Sequence, residues 1–340
     1  MKPILSVLKF GIMAIIWIAM VWLTAWGSVA LWFKIADGGA VLMAIPVLYG
    51  LLGLSAVLGF FWTGFGKLAG AFTVAAAALL IWWNTLEPPT TGDWSREVAQ
   101  QTTGTIEGDI LTLSDVRNFT WRSLTDFDES WEERTYDLSQ INSVDLLMSY
   151  WAGPHMGHLM ITFGFEDGRY LTWSNEVRRS TDASFSPLAD FFKTNPIAII
   201  AAEEQDVVGY RSNIQEARVH VFRLADQGDE ARSLLAAYVA AANAVAEEPQ
   251  WFNSLFSNCS RSVVTLTRSI GIDLPLDFRV LVNGYLPEYL YDLGALDRSV
   301  SIEELYELGD ITERAAEAWQ TPGYSDAIRV GVPEPSGPRG

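Results

Sequence analysis

The sequence of 340 residues contains few cysteines, few histidines and few basic residues. Its single cysteine, Cys259, excludes an intramolecular disulfide and would be a free thiol outside the cytoplasm. With 3 histidines and no zinc-finger spacing, the sequence predicts neither a metal site nor a cofactor. Lys and Arg number 23 against 41 Asp and Glu, for a net charge of −18. This balance excludes nucleic acid as a partner, because phosphate binding needs a basic face.

Long apolar runs are concentrated at the N-terminus. The first lies between Lys9 and Lys34, a second follows, and the third covers residues 68–86. Each run has the roughly 20 apolar residues needed to cross the hydrocarbon core of a bilayer. A cleaved signal peptide would have a shorter apolar stretch and would not be followed by two further runs. We therefore predict a three-helix membrane anchor over residues 1–87.

The lysines of the flanking segments predict the orientation of this anchor. With the N-terminus in the cytoplasm, Lys2, Lys9 and Lys67 lie inside and Lys34 lies outside. The positive-inside rule favours this arrangement. An odd number of crossings then places the rest of the chain on the far side of the membrane.

The remaining sequence indicates an α+β domain. Residues 88–108 are predicted as a linker, and strand-like segments such as HLMITFGF and RYLTWSNEV follow, separated by an acidic turn typical of a hairpin. Helical patterns come later, including one from about Asn258 to Gly271. We assign residues 109–300 to this domain. Residues 301–340 are predicted to form a C-terminal helix and a disordered Pro/Gly-rich tail.

The predicted helix that begins at Cys259 is the strongest candidate for chemistry. Free N–H groups at a helix start favour a thiolate, and Asn258 is a suitable cap. A thiolate nucleophile needs an imidazole, and position alone ranks His158 first and His155 second. His220, between two valines, is predicted to lie on the outer face of a strand. The alternative is that the cysteine is a small core residue without reactivity.

Several motifs together resemble the Lnb N-terminal periplasmic domain-like family. The resemblance covers roughly residues 110–300 in order, and the three preceding runs are similar to the Gram-negative members. It implies a papain-like fold, permuted so that the histidine strand precedes the cysteine helix, with Cys259 as nucleophile and His158 as base. The matching stretches are VRNFTWRS, SVDLLMSYW, HLMITFGFEDGRYLTWSNEVRRS, FSPLADFF, EEQDVVGYRSN, QWFNSLFSNCSRSV and RVLVNGYLPEYLYDLGALD.

Other motifs of the family are present in this sequence. One departure is the acidic-Arg-Asp triplet, Glu204-Gln205-Asp206, in which glutamine replaces the arginine and leaves the role of the middle position open. The supporting or substrate-binding candidates implied by the resemblance are Asn258, Glu176, Arg178, Arg179, Asp206, Tyr210, Arg211 and Asn213.

Two interpretations of these candidates remain open. Glu176, Arg178 and Arg179 are either an ion-paired, solvated strand end or an anion or headgroup site, since arginine forks suit phosphate and carboxylate. Asp206 and Tyr210 are candidates for orienting the imidazole or donating to an oxyanion.

Together with the distribution of lysines, the resemblance implies an inner-membrane protein with a cytoplasmic N-terminus and a periplasmic C-terminal domain. The family is named after an enzyme that moves an acyl chain within a lipoprotein to its N-terminal amine. The leading hypothesis is therefore a thiol acyltransferase or hydrolase acting on an ester or amide of a membrane lipid or lipoprotein. The alternatives are a cell-wall peptidase or amidase that uses the same dyad, and a non-enzymatic envelope scaffold.

Overall fold

Three apolar helices form where the sequence predicts them: α1 (Lys2–Ile35), α2 (Ala40–Gly59) and α3 (Phe65–Thr85). The computed structural model describes residues 2–60, 62, 65–151, 153–183, 186, 188–225, 228–253, 259–272 and 274–335. Each of the three helices is long and apolar enough to cross a membrane. The prediction of three candidate spans is confirmed.

The chain divides into two compact units, an anchor unit and a soluble unit. The anchor unit comprises Met1–Pro88 and Phe185–Thr194, and the soluble unit comprises Pro89–Ser184 and Asn195–Gly340. In the anchor unit, glycine lets α1, α2 and α3 approach closely, because a Cβ on Gly53 would overlap a side chain of α1. Within the same unit, Lys193 donates to the carbonyl of Trp83 at 2.8 Å.

One large mixed sheet dominates the soluble unit. Among the described residues, 8 strands form it in the order β1-β2-β9-β8-β7-β6-β10, and β5 pairs with β2 beside this path. The strands are β1 (Thr103–Glu107), β2 (Ile110–Arg117), β3 (Thr120–Trp121), β4 (Phe127–Asp128), β5 (Trp131–Asp137), β6 (Ile141–Tyr150), β7 (Gly157–Phe165), β8 (Tyr170–Val177), β9 (Ile197–Glu203) and β10 (Arg218–Arg223).

Helices cover both faces of this sheet, so side chains alternate between two cores. We call face A the side to which Leu159 and Ile161 of β7 point, and face B the side to which Met160 points. Helices α5, α6, α7 and α8 contribute to the face A core, and α4, α9 and α10 to the face B core. The helices are α4 (Glu204–Gly209), α5 (Gly228–Glu247), α6 (Cys259–Ser269), α7 (Leu286–Asp292), α8 (Ile302–Gly309), α9 (Thr312–Glu317) and α10 (Tyr324–Ile328); a π-helix (Tyr210–Ile214) follows α4.

The strand ends at which β7 starts form one end of the sheet, and we call it the Gly157 end. Tyr150 pairs with Gly157, and Val177 pairs with Ile197. Antiparallel pairing therefore brings the ends of β6 and β8 and the start of β9 to this end of the sheet. The expected combination of strands and helices is therefore observed as a mixed α/β domain with a large sheet.

The C-terminal segment is more ordered than its Pro and Gly content predicts. Helix α10 buries Tyr324 and Ile328 in the face B core, and Arg329 is ion-paired with Asp145 and Glu204. This differs from the predicted disordered tail because burial of one arginine and two apolar residues fixes the segment. Residues 336–340 of the predicted tail lie outside the described residues.

Candidate functional site

Four polar side chains meet on face B at the Gly157 end. The register that pairs Met160 with Ser174 also brings His158 beside Glu176. His158 Nε2 lies 2.7 Å from the Ser174 hydroxyl, which donates to Glu176 Oε1 at 2.6 Å. Arg211, from the π-helix, donates to the same carboxylate oxygen at 2.6 Å. π-Helical turns are frequent at functional sites, so the position of Arg211 in one supports it as a candidate site residue.

Burial and charge set the protonation of this cluster. Burial lowers the pKa of His158, Arg211 lowers it further, and Glu176 opposes both. Burial alone would raise the pKa of Glu176, but Arg211 and then His158 hold it well below its usual value. At neutral pH the cluster therefore contains a neutral imidazole beside an ionised carboxylate.

Asp206 belongs to a separate buried ion pair. Its carboxylate accepts from Arg117 at 2.9 and 3.1 Å, from the Phe119 backbone at 2.9 Å and from Trp121 Nε1 at 2.7 Å. Tyr210, the other predicted orienting residue, packs its ring on Trp121 with centroids 4.1 Å apart. These contacts fix the segment after β2 against α4.

The two arginines that follow β8 contact the segment before β1. Arg178 donates to the carbonyls of Val98 and Ala99 at 3.1 and 2.6 Å. Arg179 lies 3.5 Å from the carboxylate of Glu97. These contacts favour the structural interpretation of this pair. The predicted headgroup site remains a hypothesis.

The last predicted motif, which contains Arg211 and Asn213, lies within the π-helix. Asn213 donates to the carbonyl of Ala315 at 2.9 Å, and its side-chain oxygen is buried without a described partner. This hydrogen bond attaches the π-helix to α9. Asn213 thus lies on face B but bonds to a different element from Arg211.

Cys259 is the first described residue of α6, and Asn258, the predicted cap, lies outside the described residues. The helix contacts β7 and β8, and Val264 packs in the face A core. Shortly before the helix, Phe252 donates its backbone N–H to Asn195 at 2.9 Å, beside the start of β9. Phe252 thus lies at the Gly157 end, and helix α6 covers the face opposite to the His158 side chain.

Asn175 is a candidate that the sequence analysis missed. It is 4% exposed, and alternation along β8 points it to face A, the face that α6 covers. Its amide oxygen and nitrogen have no hydrogen-bond partner in the described part of the chain. Such buried orphan groups are rare and need an explanation. An asparagine inside a strand-forming segment was the available signal, since asparagine is depleted in strands.

The other two histidines have different environments. His155, ranked second from the sequence, is exposed, and its Nδ1 lies 2.6 Å from the Tyr285 hydroxyl. The prediction that His220 lies on an outer face is wrong, because it is 6% exposed and packs edge-to-face with Tyr150 and Tyr306. Helix α8 covers this part of β10, which periodicity alone could not indicate.

Replacing His220 with phenylalanine should reduce the loss of unfolding free energy that the wild-type protein shows on acidification. Burial lowers the pKa of His220 to about 4, with Asp310 raising it and Arg218 lowering it. An unfolded histidine has a pKa of about 6.5, so the unfolded chain binds the extra proton. The stabilisation is complete above about pH 6.5 and is lost as the pH falls toward about 4.

The wild-type protein should lose at most about 3 kcal/mol of unfolding free energy in this way, because each unit of pKa difference between the folded and unfolded states contributes about 1.4 kcal/mol. Thermal unfolding midpoints of the full chain between about pH 7 and about pH 4.5 measure it, with exposed His155→Phe as control. An equal acid-induced drop in wild type and His220→Phe would contradict the assignment.

No group of three His, Cys, Asp or Glu residues that could hold a metal ion occurs among the residues that the structure describes. Searches of curated proteins and of solved structures find no match to this chain. Residues 127–284 match the family model of the Lnb N-terminal periplasmic domain, a range that contains His158, Glu176 and Cys259. The motif resemblance is thereby confirmed: the chain combines three candidate membrane helices with a segment that matches the Lnb N-terminal periplasmic domain.

Proposed function

We propose that this protein is a membrane-anchored, periplasmic thiol acyltransferase or hydrolase in which Cys259 is the nucleophile. The observation that carries the proposal is the position of Cys259 at the first described residue of α6, a helix that contacts β7, the strand of His158, within the matched segment. Membership of the matched segment in a periplasmic-domain family and the three candidate spans support the location. The substrate would be an ester or amide of a membrane lipid or lipoprotein.

The reaction would proceed by covalent catalysis. A base takes the Cys259 proton, the sulfur bonds to the substrate carbonyl carbon, and the bond to the leaving oxygen or nitrogen breaks. The protonated base returns the proton to the leaving group. Water or an amine then attacks the thioester and releases the thiol. Backbone N–H groups at the start of α6 are suited to hold the oxyanion.

His158 is the proposed base, as the family motif implies. Its lowered pKa supports the role, because a general base must be unprotonated at the working pH. Proton transfer requires the imidazole within about 3 Å of the sulfur or one bridging water. His158 is the second residue of β7, so a nucleophile would have to reach it around the end of that strand. His155 is the competing imidazole on the connection that precedes β7.

A second candidate function is a non-enzymatic envelope scaffold. The favouring observation is that His158 already shares hydrogen bonds with Ser174 and Glu176 on face B, whereas α6 packs on face A. In this alternative the polar cluster is structural, and the cysteine is an inert small residue at a helix start.

Alkylation of Cys259 in the full chain tests the proposal. Because it is the single cysteine, iodoacetamide uptake as a function of pH reports this thiol alone. A thiolate favoured by an imidazole and a helix start should react with an apparent pKa below the usual value of about 8.5. We expect His158→Gln to reduce the rate at about pH 7 by about tenfold, and His155→Gln to leave it unchanged.

Two other outcomes would change the assignment. A rate that falls in His155→Gln but not in His158→Gln would move the base to His155. A thiol that reacts only after unfolding, in wild type and both variants, would overturn the enzymatic proposal and favour the scaffold. A hydroxylamine-sensitive acyl adduct on wild type, absent from Cys259→Ser, is the expected product when an acyl donor is supplied.

A further inference from the structure

Two neighbouring loops at the Gly157 end expose large apolar side chains. Trp151 and Met156, between β6 and β7, are 52% and 49% exposed. Leu276, Phe278 and Leu281, between α6 and α7, are 92%, 64% and 47% exposed. We call these five residues the apolar loop pair. Single exposed apolar residues are ordinary, but a cluster of this kind marks an interaction surface.

Hydrogen bonds join the two loops into one surface. Asn283 accepts from the Gly157 backbone at 3.0 Å and donates back to its carbonyl at 2.6 Å. Gly284 donates its backbone N–H to the carbonyl of His155 at 3.1 Å, and Tyr285 contacts the same histidine. A side chain on Gly284 would overlap the backbone of the first loop. The second loop is therefore held to the first at its C-terminal end, and Tyr289 and Asp292 of α7 hold the part that carries Phe278 through Pro275 and Arg279.

Residues of the soluble unit that flank its connections along the chain lie at this same end. Ser95, near the start of the soluble unit, donates to the carbonyl of Arg179, just after β8 ends. The second part of the anchor unit, Phe185–Thr194, is inserted in the chain between the end of β8 and the start of β9. The described residues of the soluble unit on either side of these connections, Ser95, Arg179 and Asn195, thus lie at the Gly157 end of that unit.

The charges around the loops indicate what the surface binds. Arg279, in the second loop, is ion-paired with Asp277 and with Asp292. The pairing neutralises the cation that could otherwise attract anionic headgroups. The net charge of −18 would repel an anionic bilayer. Any contact of these loops with a bilayer must therefore depend on apolar side chains. Trp, Phe and Leu are residues that favour the interfacial region of a bilayer.

We propose that the apolar loop pair inserts into the interface of the bilayer that holds the three helices, by contact with zwitterionic phospholipid. The soluble unit then contacts the membrane at a second place, independent of the spans. This inference does not depend on the proposed chemistry of Cys259. Such contact would hold the Gly157 end at the depth where lipid ester groups lie.

Depth-dependent fluorescence quenching tests the insertion. Phe278→Cys, in a Cys259→Ser background of the full chain, is labelled with an environment-sensitive fluorophore and reconstituted in phosphatidylcholine vesicles. Ile110→Cys is the matched control, because Ile110 is also partly exposed, at 44%, but lies toward the opposite end of the sheet. We expect nitroxide-bearing lipids to quench the label at position 278 at least severalfold more than the label at position 110.

Each alternative gives a different result. Equal, weak lipid quenching at both positions, with the label at 278 open to aqueous iodide, would overturn insertion. A label at 278 that is shielded from iodide but not quenched by lipid would show that protein, such as a second copy, covers the loops, and would also overturn it. A Met156→Cys label repeats the measurement on the first loop and excludes an effect of one altered residue.

Discussion

Replacing Arg329 with methionine should lower the free energy of unfolding of the soluble unit by about 3–5 kcal/mol. The guanidinium is buried and donates to both carboxylate oxygens of Glu204 at 2.7 Å and to Asp145 at 2.8 Å. It also lies over the ring of Tyr170, 4.0 Å from the centroid. Methionine would preserve apolar volume but leave Glu204 ionised and buried without this partner. The unfolding midpoint of the full chain should fall by on the order of 10 °C.

Arg122→Met is the matched control for this experiment. Arg122 also pairs with two carboxylates, Asp126 and Asp128, but its side chain is 47% exposed. Surface ion pairs contribute little because water screens them, so this variant should unfold at nearly the wild-type temperature. Near-ultraviolet circular dichroism of the detergent-solubilised chain measures both. Similar midpoints for the two variants would contradict the stabilising role of Arg329.

The Arg329 cluster illustrates what the sequence could not predict. The apolar runs indicated α1, α2 and α3 because bilayer length is a strong, local constraint. The segment around Arg329 contains proline and glycine, and composition alone predicts disorder there. Its order depends on Asp145 and Glu204, which lie far away in the chain. Such long-range pairing leaves no local pattern in a single sequence.

The candidate site shows the same division between local and long-range information. A helix in the region of α6 was predictable from its apolar stripe. The cluster of His158, Glu176 and Arg211 required the register between β7 and β8 and the position of the π-helix. The sequence also could not predict which helices cover each face of the sheet. Alternation shows only that His158 and Leu159 point to opposite faces.

Replacing Asp206 with asparagine should destabilise the soluble unit by about 3–5 kcal/mol, without a specific effect on Cys259. Asp206 is 2% exposed and neutralises the buried guanidinium of Arg117 through two hydrogen bonds. An asparagine could still accept from Trp121, but it would leave Arg117 charged and unmatched. The midpoint of unfolding should therefore fall, because an uncompensated buried charge is costly.

A different candidate role for Asp206, predicted from the sequence, is the orientation of the proposed imidazole base, and the same variant tests that role. If the role is structural, the iodoacetamide rate of Cys259, measured well below the lowered midpoint, keeps its wild-type pH dependence. If Asp206 also orients the imidazole, the pH profile shifts in addition to the fall in the midpoint. Asp126→Asn, which alters an exposed ion pair with Arg122, is the control for charge removal alone. The four hydrogen bonds that Asp206 accepts all come from residues other than histidine, which is why we expect the first result.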